Sequence, residues 1–238
     1  MSDRSLCQFY QKIGACRHGD KCSRRHVKPT ESKTVLLANL YQDPKKVDPK
    51  GQPMSAEDFD QFYADVYVKV AEKGEVESMV VCENENFHLS GNVYVRFTTL
   101  EAANNAVMTL NQEWFGGRPV YCDLLPVSSF QEANCRAHDT NSCPRGGLCN
   151  FMHVRRPGNE MRRQLRQAQE KSLALAELRR LKGADWGREW EEPTKRKYTR
   201  ESEVKKEPKI ETPEVVAEDK PEPVVESKAT AVAKLFGA

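Results

Sequence analysis

Two stretches of this chain, more than a hundred residues apart, repeat one ligand order. The first runs Cys7-x8-Cys16-x5-Cys22-x3-His26 and the second Cys135-x7-Cys143-x5-Cys149-x3-His153. Segments of about 20 residues cannot bury enough apolar surface to fold alone, so each needs a staple. Three thiolates and one imidazole supply it: a closed tetrahedral shell for Zn2+, with no open position for substrate or activated water. Two structural zinc ions are therefore expected, and catalytic zinc is not. The x3 step is expected to bring the last Cys and the His together over one helical turn. The glycines of "RHGD" and "PRGG" would permit the tight bends between ligands. His18 and His138 lie close to ligands but break the shared register, so they read as bystanders.

Eight cysteines could instead form disulfides. The start "MSDRSLCQFY" has no apolar signal core and the chain has no 18-residue apolar run, so neither secretion nor a membrane span is expected. A reducing compartment follows, where metal ligation is the better use of thiols. Cys82 and Cys122 fall on expected strands and read as buried apolar thiols.

Between the metal modules the pattern is β-α-β-β-α-β. A strand over 34–40 leads through the loop "YQDPKKVDPKGQP" to a helix over about 55–73, capped by Ser55 with Asp58 three residues on. Its Phe59, Phe62, Tyr63, Val66, Tyr67 and Val70 recur at steps of three and four, the stripe of a helix lying on a sheet. "EVESMVVC" and "GNVYVRF" are the next strands. A helix opening at Thr98 runs to about Leu110, burying Ala102, Ala103, Ala106 and Val107, and "RPVYCDLL" closes the sheet. This order suits an α+β, ferredoxin-like sandwich large enough to bury its own core.

The strand "SGNVYVRF" stands where an RNA-recognition motif keeps stacking rings, yet Asn92 occupies a ring position and Ser90 the leading basic one. Alternation sends Val93, Val95 and Phe97 to the core and Asn92, Tyr94 and Arg96 outward. On the first strand, Leu36 stands where a second ring is usual. Charge agrees: residues 1–33 carry a net +5, residues 34–130 a net −7 and residues 131–183 a net +6. Phosphate backbones seek clustered Lys and Arg. The flanks, not the sheet, should therefore meet nucleic acid, and the sheet domain should bind protein.

Around the ligands lie Phe9, Tyr10 and Phe151 with Arg17, Lys21, Arg24, Arg25, Arg136 and Arg145. Rings beside guanidinium groups suit unstacked bases; the bland alternative is that the rings pack on the zinc core. In "NQEWFGG", Trp114 is either core filler or an interface anchor. Asp60 and Asp65 on the first long helix would draw a basic peptide, or are simply solvated.

Finger, modified RNA-recognition motif and finger, with "KIGACRHGDKCSRRH", "GNVYVRF" and "RGGLCNFMH", resemble the small subunits of the U-two snRNP auxiliary factor over about residues 5–160. These belong to the splicing heterodimer that marks 3′ splice sites. The resemblance implies a peptide-binding sandwich that grips the large subunit by a tryptophan exchange, with two fingers that read the intron-terminal AG. It would place Phe9, Arg17, Ser23, Arg24, Arg136, Arg145 and Phe151 at the RNA, and Trp114 and Phe115 at the large subunit. One departure stands out: Glu113 replaces the family's arginine before the two aromatics. Among Asp60 and Asp65 it is expected to repel rather than pair.

The expected organisation is a finger at 5–30, the sandwich at 33–127, a finger at 130–156, an amphipathic helix at 159–183 and a disordered tail at 186–238. The helix carries Met161, Leu165, Ala168, Leu175 and Leu178 at helical spacing and is expected to dock on the body or a partner; a solvated helix whose arginines touch phosphates is the alternative. The Pro, Glu and Lys content of the tail supports disorder, and "KRK" at 195–197 is a weak nuclear-import patch. Function is read as non-enzymatic recognition of the pre-mRNA 3′ splice site in the nucleus. Turnover of AU-rich mRNA and a protein-only scaffold are the alternatives. No nucleophile and base pattern supports an enzyme.

Overall fold

In chain order the elements are helix α1 (Gln8–Ile13), strand β1 (Thr34–Leu37), helix α2 (Ala56–Ala71), strands β2 (Val76–Cys82) and β3 (Val93–Phe97), and helix α3 (Leu100–Leu110). They continue with the two-residue strands β4 (Trp114–Phe115) and β5 (Arg118–Pro119), strand β6 (Cys122–Leu125), the one-turn helices α4 (Phe130–Ala133) and α5 (Arg136–Asp139), strand β7 (Val154–Arg155), and helix α6 (Asn159–Lys182). The computed structural model describes residues 5–44, 52 and 54–187. All of these fall in one unit, Met1–Glu189. The expected tail beyond Gly187, with its "KRK", lies outside the described residues, as does part of the loop before α2.

The main sheet has the order β6-β1-β3-β2-β7. Every pairing is antiparallel, with Leu36 facing Tyr94 on β3 and Asp123 on β6. Strands β1, β3, β2 and β6 with helices α2 and α3 make the split β-α-β sandwich that the hydrophobic pattern predicts. Ser55 caps α2 by accepting from the Asp58 amide at 3.0 Å. The cap of α3 is Thr99 rather than Thr98, accepting from the Ala102 amide. Val35, Leu37, Val81, Val93, Val95 and Phe97 turn one face of the sheet onto Phe59, Tyr63, Val66 and Val70 of α2 and the alanines of α3.

The opposite face is a second core, and here the structure departs from expectation. Tyr94 does leave the helix side, as alternation requires, but it is fully buried. Ile13 of the first finger and Ala133 and Met152 of the second pack with Tyr94, Cys82, Leu125 and Val127. The two fingers thus lie over the surface on which an RNA-recognition motif would hold bases. Gly14 ends α1 at φ 74°, and a Cβ there would meet Leu125 Cδ1 at 2.4 Å, so only glycine allows so close a seat. Cys82 and Cys122 are buried as expected, and burial pushes the Cys122 thiol up to about 12.

Two further elements carry no sequence signal. "RPVYCDLL" is not one strand: Arg118–Pro119 pairs with Trp114–Phe115 in a separate hairpin, and only Cys122–Leu125 joins the sheet. Immediately after His153, β7 adds to the free edge of β2, pairing Cys82 with Val154. The edge is thereby closed by the chain leaving the second finger.

Helix α6 docks by its first half. Leu165 is buried against the sandwich core with Met161 beside it. Gln169 accepts from the Val76 amide and donates to the Val76 carbonyl, both at 3.0 Å, so it pairs with a strand end as a neighbouring strand would. Further on, Leu173, Leu178 and Leu181 are exposed.

Candidate metal centres and nucleic-acid interface

The two metal sites are built alike. In each, the residue before the first Cys bridges in parallel to the residue before the His, Leu6 with Arg25 and Asn134 with Met152. The Cys7 amide donates to the Arg25 carbonyl at 3.0 Å and the Cys135 amide to the Met152 carbonyl at 2.9 Å. A short helix follows the first ligand, six residues in α1 and four in α5. A single 3-10 turn precedes the third, at Gly19–Lys21 and Gly146–Leu148. Gly19 and Gly146 start those turns at φ 48° and 49°, as the bend between ligands requires. The x3 step is not helical, contrary to expectation. The residue before each His is drawn into the bridge, which keeps that segment extended.

This folding brings Cys7, Cys16, Cys22 and His26 into one cluster, and Cys135, Cys143, Cys149 and His153 into another, with all ligand atoms of each within 4.8 Å of one another. Sulfur separations are 3.9 Å for Cys16 and Cys22, 3.7 Å for Cys135 and Cys143, and 3.8 Å for Cys135 and Cys149. Zn–S bonds of about 2.3 Å in a tetrahedron imply S···S edges of about 3.8 Å. His26 Nε2 and His153 Nε2 are buried with no hydrogen-bond partner among the described residues. A buried imidazole nitrogen without a partner is costly unless a metal takes its lone pair. Donor set, spacing and orphaned nitrogens all fit two structural Zn2+ ions. When bound, each ion cross-links its finger and offsets the thiolate charge.

His18 and His138 lie outside both ligand clusters. His138 stacks on the ring of His153 at 4.0 Å and sits 3.0 Å from Glu83 Oε1, supporting the ligand from behind. Tyr10 does the same in the first finger, stacked on His26 at 4.7 Å, so of its two possible roles the structural one holds. Sequence reasoning missed the fastening of the second finger. Asn84, buried two residues past the end of β2, donates to the Cys149 and Phe151 carbonyls at 3.0 Å each and accepts from the His153 amide at 2.8 Å. Asn86 adds a bond to the Cys149 carbonyl at 2.6 Å.

Because both fingers sit on one sheet face, Phe9 and Phe151 meet, with ring centroids 6.2 Å apart. Arg136 and Phe151 line one open groove with Lys12, a residue not anticipated. Arg17 and Arg145, from different fingers, line a second. Ser23 and Arg24 are exposed on the first finger and line neither groove.

On the far side of the molecule, α2, α3 and the β4–β5 hairpin enclose a cavity of about 140 Å3, walled by Val66, Leu110, Phe115 and Val120 among others. Trp114 is 71% exposed at its rim, so it is not core filler, whereas Phe115 turns inward onto Phe62 at 5.8 Å. The expectation of repulsion at Glu113 is overturned. Its carboxylate reaches Lys69 Nζ and Lys73 Nζ, each at 2.9 Å. Hydrogen bonds from these two lysines hold it below the usual carboxylate range. Of the two aspartates, Asp65 lines this cavity. Asp60 lies elsewhere: five residues of helix turn it toward α6, where it accepts from the Gly158 amide at 3.0 Å.

Comparison with known proteins agrees with this geometry. The zinc-finger family of C-x8-C-x5-C-x3-H type and similar matches residues 2–28 and 130–155. The chain is 51% identical over 177 residues to the splicing factor U2AF 23 kDa subunit of Schizosaccharomyces pombe, covering 73% of this chain and 82% of that one. It is 48% identical to the splicing factor U2af 38 kDa subunit of Drosophila melanogaster, covering 68% of this chain and 66% of that one. To the U2AF 26 kDa subunit of Bos taurus it is 46% identical, covering 68% and 78%. With both metal centres and the sandwich between them in place, the chain belongs to the family of small subunits of the splicing factor U2AF.

Proposed function

We propose that this RNA-binding splicing factor acts in the nucleus, reading the AG at the pre-mRNA 3′ splice site with its two fingers while its sandwich holds the large subunit of a heterodimer. The observation that carries this reading is the convergence of the fingers, which brings Phe9 against Phe151, with Lys12 of the first finger and Arg136 of the second lining the groove at Phe151 and Arg17 and Arg145 lining another. Closed metal shells leave the ions a structural role and the surrounding rings and guanidiniums the contact with bases. Phe9, Arg17, Ser23, Arg24, Arg136, Arg145 and Phe151 are assigned to the RNA. Trp114 and Phe115, with Glu113 and Asp65 beside the cavity, are assigned to the large subunit. Asp60, held by the α6 start, is dropped from that set. Residues 5–30 and 130–156 are the reading modules, 33–127 the partner-binding domain and 159–183 a brace.

Energetics explain why such a subunit works in a pair. Stacking contributes roughly 1–3 kcal/mol per base, and micromolar binding needs about 8 kcal/mol. A dinucleotide therefore gives the isolated chain weak affinity, and tethering to a large subunit on neighbouring RNA raises the effective concentration to the order of mM. Titrating a UAG-containing RNA should show tighter binding by the heterodimer than by the isolated chain, lost on changing AG to AC. Equal affinities for the two proteins, or for the two RNAs, would reject the reading.

A further inference from the structure

Among the described residues, the most exposed large apolar side chain is Phe87, 79% accessible in the loop between β2 and β3. A single exposed ring is ordinary by itself; what sets Phe87 apart is that the fold holds it exposed in a groove beside arginines. Its exposure is held by the fold. Asn86 Oδ1 accepts from the Leu89 amide at 3.0 Å, and the Glu85 amide donates to the Gly147 carbonyl at 2.8 Å. Leu89, two residues on, is fully buried in the finger-side core. The loop is thus fixed to the second finger on one side and to the sheet on the other, with Phe87 at its outer tip.

Phe87 lines a groove of about 750 Å3 together with His88, Arg17 of the first finger and Arg145 and Leu148 of the second. Leu148 is itself 69% exposed. The rings of His88 and Phe87 meet in a T-shaped arrangement, centroids 5.3 Å apart. Burial, and then the charge of Arg17, hold that imidazole below its usual pKa, so it stays neutral beside the arginines. Among the described residues, Glu85 is the one acidic side chain of the groove, and it leans over Gly147, where a Cβ would meet its Cδ at 2.5 Å. Two guanidiniums set apart by apolar surface suit a nucleotide, which brings a flat apolar base and an anionic phosphate together.

We propose that Phe87 is a further base-stacking residue, taking an unpaired base adjacent to those held by the fingers, with Arg17 and Arg145 on its phosphates. This rests on the reading that the fingers bind RNA, and it continues that surface, since both arginines already belong to it. The sandwich would then contribute to RNA contact through a loop although its sheet is covered.

The test uses the full chain in its heterodimer, a short RNA limited to UAG, and the same RNA extended by two nucleotides on either side. Phe87→Ala should weaken binding of one extended RNA by about fivefold to a hundredfold, the range of a lost stacking contact. It should leave the short RNA unaffected, and Phe87→Trp should restore affinity. Wild-type binding of every RNA by Phe87→Ala, with Phe151→Ala still impaired, overturns this proposal alone. If Phe151→Ala is also unimpaired, the finger reading itself fails. A Phe87→Ala chain that binds RNA normally but loses the large subunit makes the loop a protein contact, and also overturns it.

Discussion

Asn84 is fully buried and directs three hydrogen bonds into backbone groups of the second finger. Leaving buried groups without partners costs roughly 1–3 kcal/mol each. Asn84→Ala is therefore expected to lower stability by about 2–4 kcal/mol in urea denaturation, with faster hydrogen exchange at the His153 amide. Asn84→Asp should be worse, because it turns an acceptor toward the carbonyls of Cys149 and Phe151. In the sequence, "ENEN" after a strand reads as turn-forming polar residues and nothing more. Partners 65 to 69 residues away leave no local trace. Glu113 shows the same limit from the other side. The aspartates of α2 suggest repulsion, but Lys69 of α2 and Lys73 just past its end reach the carboxylate, and the pairing that forms depends on positions that charge composition does not encode.

Elements were legible in proportion to their length. The stripe on α2 and the ligand spacings of the fingers are periodic or strict, so their outcome could be read directly. Strands of two residues have no period, which is why the β4–β5 hairpin and β7 were invisible. Helix α6 falls between these cases: its extent matches the pattern over 159–182, yet only part of the stripe is used. Leu165 enters the core, whereas Leu181 is 66% exposed. Leu165→Ala should cost about 2–3 kcal/mol, near the lower end for a leucine truncation because the site is close to the surface. Leu181→Ala should stay within about 0.5 kcal/mol. Paired chemical denaturation curves check both. Equal losses would mean that the whole helix is seated.

At the scale of the molecule, alternation along β3 correctly separates Tyr94 from Val93 and Val95, but it cannot say what covers Tyr94. That depends on two metal-folded segments placed at opposite ends of the sandwich in sequence and on one face of it in space. Removing zinc should therefore act beyond the ligands. Structural zinc contributes on the order of 10–16 kcal/mol in isolated finger peptides. Here Cys149→Ala should unfold the second finger and also expose Tyr94, Leu125 and Ile13, which pack with it. Hydrogen exchange should rise along β3 and in α1, although the first finger keeps its own ligands. Exchange confined to residues 130–156 would contradict a shared core. The same seam limits what protein engineers can do with these parts. A finger cut from this chain and spliced into a foreign scaffold would arrive with an oily underside fitted to one particular sheet, so any transplant has to carry its landing pad along.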